Sequence, residues 1–496
     1  MDLNVIITNT IAVFLDPSTL LLVIVGTFMG LVFGALPGLT STMGVAILIP
    51  LTFTLEPVQA IGMMLGTYVG GMAGGAVSAI LLNIPGTPSA VVTCLDGYPM
   101  AKQGRGAEAL GWAAFASGFG SIISWLILVI LSPYLARLCT GFGSPEYAAL
   151  AFFGLTIIAA VSGKSIVKGI IAGLIGVSLS FVGVDPIWGD LRFTFGNINL
   201  MSGISTMPAL IGFYSIPQIL MSCTDKNNTE MVDIKLHNFV PSLKKLFQSM
   251  VNIIRSSVIG TIIGIIPATG GNIASFIAYD QEKRFSKVPA SFGKGNEQGV
   301  IASEAANNGV CGGALIPMLT LGIPGDSVTA ILLGGLMIHG LKPGPALFLE
   351  SPDVVVGIFT TLFIATVAMV LIQMVGIKLF IKVLNVPVHY LTAALVILSL
   401  VGSYALRNNF FDVILTLVLG ILGYFMAKAK FPMAPTVLGL VLGAMFEGEI
   451  RRSLKMSAGA VSIFFTRPVA CVIILIALTV VVTNIVKAIR KQNEAQ

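Results

Sequence analysis

Residues 74–93 read GGAVSAILLNIPGTPSAVVT. A run of small and apolar residues reaches Asn83, meets Ile-Pro-Gly-Thr-Pro, and turns apolar again. Pro85 and Pro88 lack backbone N–H groups and disrupt the turn before them. Gly86 admits backbone conformations that other residues avoid. The stretch therefore breaks a helix, and the composition around it says in what solvent. The 496 residues are 55% hydrophobic and 10% charged, with a mean hydropathy of +0.95, whereas a soluble domain carries about 25% charged residues. Apolar stretches recur at 20–36, 109–131, 354–377, 413–426 and 472–485. A span takes about 20 predominantly apolar residues, which predicts roughly 10–13 crossing or re-entrant segments. The alternation expected of an outer-membrane barrel is absent. The expected fold is all-α and polytopic.

A second copy of the break gives the first its meaning. Residues 82–89 read LNIPGTPS and residues 321–328 read LGIPGDSV, each preceded by Gly-Gly-Ala at 74–76 and 312–314. About 50 residues before each stands another interruption, GALPGLTSTMG from Gly34 and GIIPATGGNIA from Gly264. Two kinds of break, in the same order in both halves, predict an internal repeat. We read residues 1–221 as the first repeat, 222–250 as a polar linker, and 251–496 as the second repeat with C-terminal helices. The end of the linker, VPSLKKLFQSMVNIIR, reads as an amphipathic surface helix.

Charge sets the expected orientation. After the first kind of break, half one has no cation, whereas half two has the basic loop DQEKRFSKVPASFGKGNEQ. After the second kind, half one has DGYPMAKQGRG with two cations, and half two HGLKPGPALFLESPD with one cation and two acids. The basic side changes between halves, which predicts inverted repeats. Lys102, Arg105, Lys283 and Arg284 are then topology determinants. The basic tail predicts a cytoplasmic C-terminus, and the N-terminal ~50 residues, without a cation, predict an N-terminus on the other side and no cleaved signal peptide. The net charge of +6 reports topology and calls for no nucleic-acid partner. The five cysteines are scattered and read as buried small residues. No Ser/His dyad, paired catalytic Asp motif or His-Glu-x-x-His site points to an enzyme, and no cofactor is expected.

Backbone freed by a break within a bilayer must be buried in protein or line a wet cavity. Its carbonyls can coordinate a cation, and a helix N-terminus opening there can hold an anion. Paired discontinuous helices are the strongest sequence pointer to a transporter's binding site. The candidate substrate groups are Thr40, Ser41, Thr42, Asn83, Thr87 and Ser89 in half one, with Thr269, Asn272, Asn307, Asn308 and Ser327 in half two. The candidate cation positions are Asn83, Pro85, Gly86, Pro324, Gly325 and Asp326, with Na⁺ or H⁺ as the coupling ion. Each of these residues also has a bland reading as a cap or an interhelical bond. For Asp326 the two readings are an ion ligand and the cap of the next half-helix. Glu304 is a ligand or a cap, Asp96 and Tyr98 a turn and a loop anchor, and His339 interfacial.

At these residues the chain resembles the large membrane subunit of the tripartite tricarboxylate transporters, the TctA family. The blocks that carry the resemblance are GLVFGALPGLTSTMGVAILIPLTF, YVGGMAGGAVSAILLNIPGTPSAVVTCLDGYPMAKQGRGAEALG and EQGVIASEAANNGVCGGALIPMLTLGIPGDSVTAILL, with HGLKPGPALF after them. Ser303, where Pro is common, and Gly309, where Ala is, depart mildly from the pattern. The resemblance implies the translocation path of an ion-driven importer in a bacterial inner membrane. It also implies a small TctB-like membrane subunit, a periplasmic TctC-like solute-binding protein and a citrate-like carboxylate as partners. The rival reading of the residues is a passive carboxylate or anion channel.

Overall fold

The computed structural model describes residues 3–36, 39–161, 165–185, 187–222, 239–267, 269–384, 388–405 and 407–493. Its regular elements are helices, apart from a two-residue antiparallel pairing of Gly183–Val184 with Leu191–Arg192. Among the described residues, seven helices are long and apolar enough to cross a membrane, and seven shorter apolar helices have 10–17 residues. The protein is an all-α, multi-pass membrane protein.

The chain forms two compact units, residues 1–136 with 218–398, and residues 137–217 with 399–496. This partition crosses the two halves read from the sequence, because each half contributes one piece to each unit. Most of the expected linker, 223–238, lies outside the described residues, as do Cys223, Pro37, Gly38 and Ala268.

The first unit holds α1 (Leu3–Leu15), α2 (Pro17–Ala35), α3 (Ser41–Thr52), α4 (Pro57–Leu82), α5 (Val91–Met100), most of α6 (Gly106–Cys139), α7 (Leu243–Ile265), α8 (Gly270–Phe285), α9 (Glu297–Leu321), α10 (Ser327–Ile338) and α11 (Pro352–Leu384). All four breaks interrupt helices, between α2 and α3, α4 and α5, α7 and α8, and α9 and α10. The two Ile-Pro-Gly breaks match residue for residue. Asn83 ends α4 in the left-handed region at φ 57°, and Gly322 ends α9 there at φ 71°. Gly and Asn are the residues that tolerate this conformation at a helix C-terminus. Four residues later Thr87 and Asp326 occupy N-cap positions.

Small residues bring the helices together. Gly26, Gly30 and Gly34 of α2 lie against backbone of Met63, Thr67 and Gly71 of α4, so a Cβ at any of them would strike main chain. Thr67 Oγ1 also donates to the Gly26 carbonyl at 3.1 Å. In the second half Gly260 and Gly264 of α7 meet Ala306, Val310 and Ala314 of α9 in the same way. Without a hydrophobic drive between helices in lipid, such close backbone packing and interhelical hydrogen bonds hold a bundle together. Each Ile-Pro-Gly glycine closes onto its own half. A Cβ on Gly86 would collide with the carbonyl oxygen of Gly34, and one on Gly325 with that of Gly264. Residues 60–81 of α4 and 299–320 of α9 are buried throughout.

Three local expectations change. The segment from Leu243 is not a separate surface helix but the first turns of α7, because its apolar face continues unbroken to Ile265. Asp280–Phe285 belongs to α8, which shortens the basic loop to 286–296. Asp96–Met100 is helical despite Pro99, which lies within α5 where the backbone continues as a π-turn over Ala101–Arg105.

In the second unit, the Ile166–Ser180 and Met433–Met456 helices pack through Gly173, Gly176 and Gly439. Asp185, near the β-pairing, accepts from Arg451 at 2.5 Å and from the backbone N–H of Ile187 at 2.8 Å and of Trp188 at 3.1 Å. Arg192 and Arg451 share Glu447. Desolvation of Asp185 opposes its charge, but the Arg451 hydrogen bond and the two N–H donors outweigh it and hold the carboxyl down at about 2.

Candidate functional site

The site is built around α4 and α9, the two buried helices that end in breaks. Proline and the left-handed caps stop each helix and turn the chain so that a new helix start faces inward. Ser41, the first residue of α3, sits with its Oγ against Gly71. Thr87, at the start of the short helix leading into α5, sits with its Oγ1 against Gly75. Gly71 and Gly75 are one turn apart on α4, about 6 Å along its axis. Only glycine leaves room there for the hydroxyls.

The second half reaches the same place. Gly271, in the first turn of α8, lies where a Cβ would be 2.8 Å from Asn307 Oδ1 and 2.9 Å from Ser89 Cβ. Asn307 donates from Nδ2 to the Met72 carbonyl at 3.0 Å. Ser89 and Thr87 hydroxyls are 3.1 Å apart. Three helix starts from both halves thus meet around Gly71, Gly75 and Asn307. Helix starts present N–H groups that the helix leaves unpaired, together with a partial positive charge. Two buried groups in this cluster, Ser41 Oγ and Asn307 Oδ1, have no hydrogen-bond partner among the described residues. A buried polar atom without a partner costs about 1–3 kcal/mol, so such a group marks a place where something else binds.

Asp326 stands at the fourth helix start. Its Oδ1 accepts from Thr329 N and Thr329 Oγ1, each at 2.8 Å, and its Oδ2 accepts from Tyr68 OH at 2.6 Å. The carboxylate therefore caps α10 and ties it to α4. Asn308 is buried, with Nδ2 donating to Ser121 Oγ at 3.2 Å and Oδ1 unpartnered. Glu304 is fully buried and accepts from the hydroxyls of Thr93 and Ser117.

The remaining candidates have other local partners or surroundings. Thr40 caps α3 by accepting from Met43 N at 3.2 Å, and Thr42 and Ser327 are half-buried. Thr269 Oγ1 donates to the Ile263 carbonyl at 2.9 Å, capping the end of α7. Asn83 and Asn272 are exposed. Pro85 is half-buried, and Gly86, Pro324 and Gly325 are buried in the break backbones. His339 ends α10 half-buried, with Nε2 unpartnered.

Asp96 is a loop anchor of a particular kind. It is buried on α5 and accepts from Tyr279 OH at 2.7 Å and from the N–H groups of Gly293, Gly295 and Asn296 at 2.8–2.9 Å. One carboxylate of the first half thereby holds the basic loop of the second. The sequence reading passed over Tyr68, Thr93 and Ser117. Their signal was a polar group inside an apolar helix, which in a membrane protein usually faces the bundle interior.

Residues 20–438 match the model of the family described as "Tripartite tricarboxylate transporter TctA family". The chain is 35% identical over 480 residues to "Uncharacterized 52.8 kDa protein in TAR-I ttuC' 3'region" of Agrobacterium vitis, covering 97% of this chain and 96% of that protein. It is 36% identical over 235 residues to "Uncharacterized protein in TAR-II ttuC' 3'region" of the same organism, covering 47% of this chain and 97% of that protein. No solved structure matches it.

Proposed function

The chain belongs to the tripartite tricarboxylate transporter TctA family, and from that premise we propose that it is the permease subunit of a binding-protein-dependent importer driven by Na⁺ or H⁺. The substrate is a citrate-like carboxylate, bound where the starts of α3, α5 and α8 meet beside Asn307. The observation that carries this reading is the pair of unpartnered buried groups at converging helix starts, Ser41 Oγ, which can donate to a carboxylate, and Asn307 Oδ1, which can accept from a substrate hydroxyl. An anion there would take hydrogen bonds from helix-start N–H groups and from the Ser41 hydroxyl. The Ile-Pro-Gly carbonyls, with Asn83 or Asp326, are the proposed cation position. A small membrane subunit and a periplasmic solute-binding protein complete the system in a bacterial inner membrane, with the C-terminus cytoplasmic.

Inverted repeats are supported by which loops meet. The turn after α5 in half one touches the loop after α8 in half two, since Gln103 donates to the Lys294 carbonyl at 2.8 Å and Arg105 to that of Gly295 at 3.2 Å. Arg105 and Lys245 also pair with Glu108 and Glu297 at this end. The stretch after the second break of one half therefore shares an end with the stretch after the first break of the other, as inversion requires.

The test is uptake into proteoliposomes holding this chain and a small membrane subunit, with purified binding protein, a panel of carboxylates, and imposed Na⁺ or pH gradients. Stimulation by both binding protein and a gradient is expected. Uptake that needs neither would leave a passive channel and sink the importer reading. Asp326→Ser keeps a helix cap but removes the carboxylate, so normal uptake by that variant would reduce Asp326 to a cap.

A further inference from the structure

We infer that Glu304, in place of Asp326, is the proton-carrying site that makes the driving ion H⁺, an assignment that rests on the importer reading above but not on its cation position. Glu304 lies at the crossing of three helices from both halves. Thr93 Oγ1 of α5 donates to one carboxylate oxygen, and Ser117 Oγ of α6 donates to the other at 3.2 Å. Ser303 Oγ is 3.0 Å from Thr93 Oγ1. No ion pair among the described residues includes Glu304. A buried carboxylate held only by neutral groups is costly to keep charged.

The shell suits both protonation states. A hydroxyl is a donor and an acceptor and rotates to suit. Toward a carboxylate, Thr93 and Ser117 donate. Toward a carboxylic acid, Thr93 can turn to Ser303 Oγ, and the acid proton needs an acceptor. Asn308 Oδ1 is one, buried and without a partner, one helical turn from Glu304 on the same face of α9. Asn308 is itself held by Ser121, one turn beyond Ser117 on α6, so the polar seam is continuous. A Na⁺ ion would instead need several oxygens turned toward it. Here both carboxylate oxygens take hydroxyl hydrogens, and Ser303 Oγ spends its own on the Val300 carbonyl at 3.0 Å.

Several other titratable groups on the packed elements are engaged elsewhere. Asp96 of α5 binds Tyr279 of α8 and the 293–296 backbone. Glu108 of α6 and Glu297 of α9 bind Arg105 and Lys245. Glu282 of α8 binds Arg255 of α7, and Tyr68 of α4 binds Asp326. Cys94 of α5 is half-buried, and Cys311, two turns further along α9, is buried beside Tyr68. Glu304 is also one turn from Asn307. A substrate carboxylate beside Asn307 would favour a neutral Glu304, and a neutral Glu304 would favour the substrate by the same factor. Anion and proton would then load together.

Glu304→Gln in the reconstituted complex tests this, with radiolabelled citrate or the carboxylate that the uptake panel selects. Accumulation driven by a pH gradient should fall at least tenfold, while gradient-free exchange of labelled for unlabelled substrate persists. Wild-type accumulation by the variant would overturn the assignment. A wild-type complex that follows Na⁺ and ignores pH would also overturn it, leaving the importer reading intact. Uptake that answers to neither gradient would remove the importer reading itself. Should Glu304→Gln fail to fold, infrared titration of the wild type in lipid decides. A protonated-carboxyl band that disappears at alkaline pH, and whose titration shifts in Thr93→Val, is the expected result. Absence of any such titrating band would overturn the assignment.

Discussion

Asn307→Leu should separate binding from stability. The side chain is fully buried and close to leucine in size, so the exchange leaves little cavity. It removes the hydrogen bond from Nδ2 to the Met72 carbonyl and the side chain's interaction with the buried Glu304 carboxyl, each worth about 1 kcal/mol net. That carbonyl keeps its helical N–H partner, so no new orphan appears. The exchange also removes Oδ1, which has no hydrogen-bond partner among the described residues and carries a penalty of about 1–3 kcal/mol. Apolar burial adds a favourable contribution. The sum is a variant whose stability changes by no more than about 1 kcal/mol. Its uptake should nevertheless fall tenfold or more, since each tenfold loss corresponds to about 1.4 kcal/mol of binding. Thermal unfolding of the purified protein and initial uptake rates, normalised to folded protein in the membrane, measure both effects. A clear drop in melting temperature with uptake falling in proportion would refute the reasoning, because Oδ1 would then be a structural acceptor.

Four other outcomes follow from the geometry. Gly86→Ala and Gly325→Ala each push a Cβ into a carbonyl of the same half, and overpacking of this kind costs about 1–3 kcal/mol; both should lower the yield of folded protein, which size-exclusion profiles in detergent would show. Asp96→Ala strands the N–H groups of Gly293, Gly295 and Asn296, so hydrogen exchange at these three amides should rise while the ends of α4 stay protected. The depressed Asp185 carboxyl contributes stability that is whole above the ordinary carboxylate value near 3.8 and fades as pH falls toward about 2. Fluorescence of Trp188 in a Trp112→Phe, Trp125→Phe background should report that loss, and Asp185→Asn should abolish its pH dependence. Asp326→Ala loses an N-cap, costing about 0.5–2 kcal/mol, and should melt lower than Asp326→Ser in the same assay.

The breaks were legible because proline and glycine act locally. Pro85, Gly86, Pro324 and Gly325 interrupt a helix whatever surrounds them, and the matching left-handed residues, Asn83 and Gly322, follow from the same chemistry. The membrane class was legible because composition decides the solvent. Residue roles were less so. Thr40 and Thr269 read as substrate groups from their position, yet their hydroxyls bond backbone at the start of α3 and the end of α7. Capping and ligand binding use the same side chains at the same places, and only the third dimension separates them. Asp96 looked like a turn residue beside Gly97 and Pro99, but burial against Tyr279 made it a clamp on a distant loop.

What the amino-acid order determined alone is a helical membrane protein with four interruptions, since chain-local stiffness and hydropathy need no partner to act. What only the tertiary structure decided is which interruptions share a site. Gly71 and Gly75 admit Ser41 and Thr87, and Gly271 admits Ser89 and Asn307, across some 230 residues of chain. That meeting depends on glycine seams that let backbones touch, and on buried hydroxyls finding Glu304 and Asp326, neither of which any local pattern encodes.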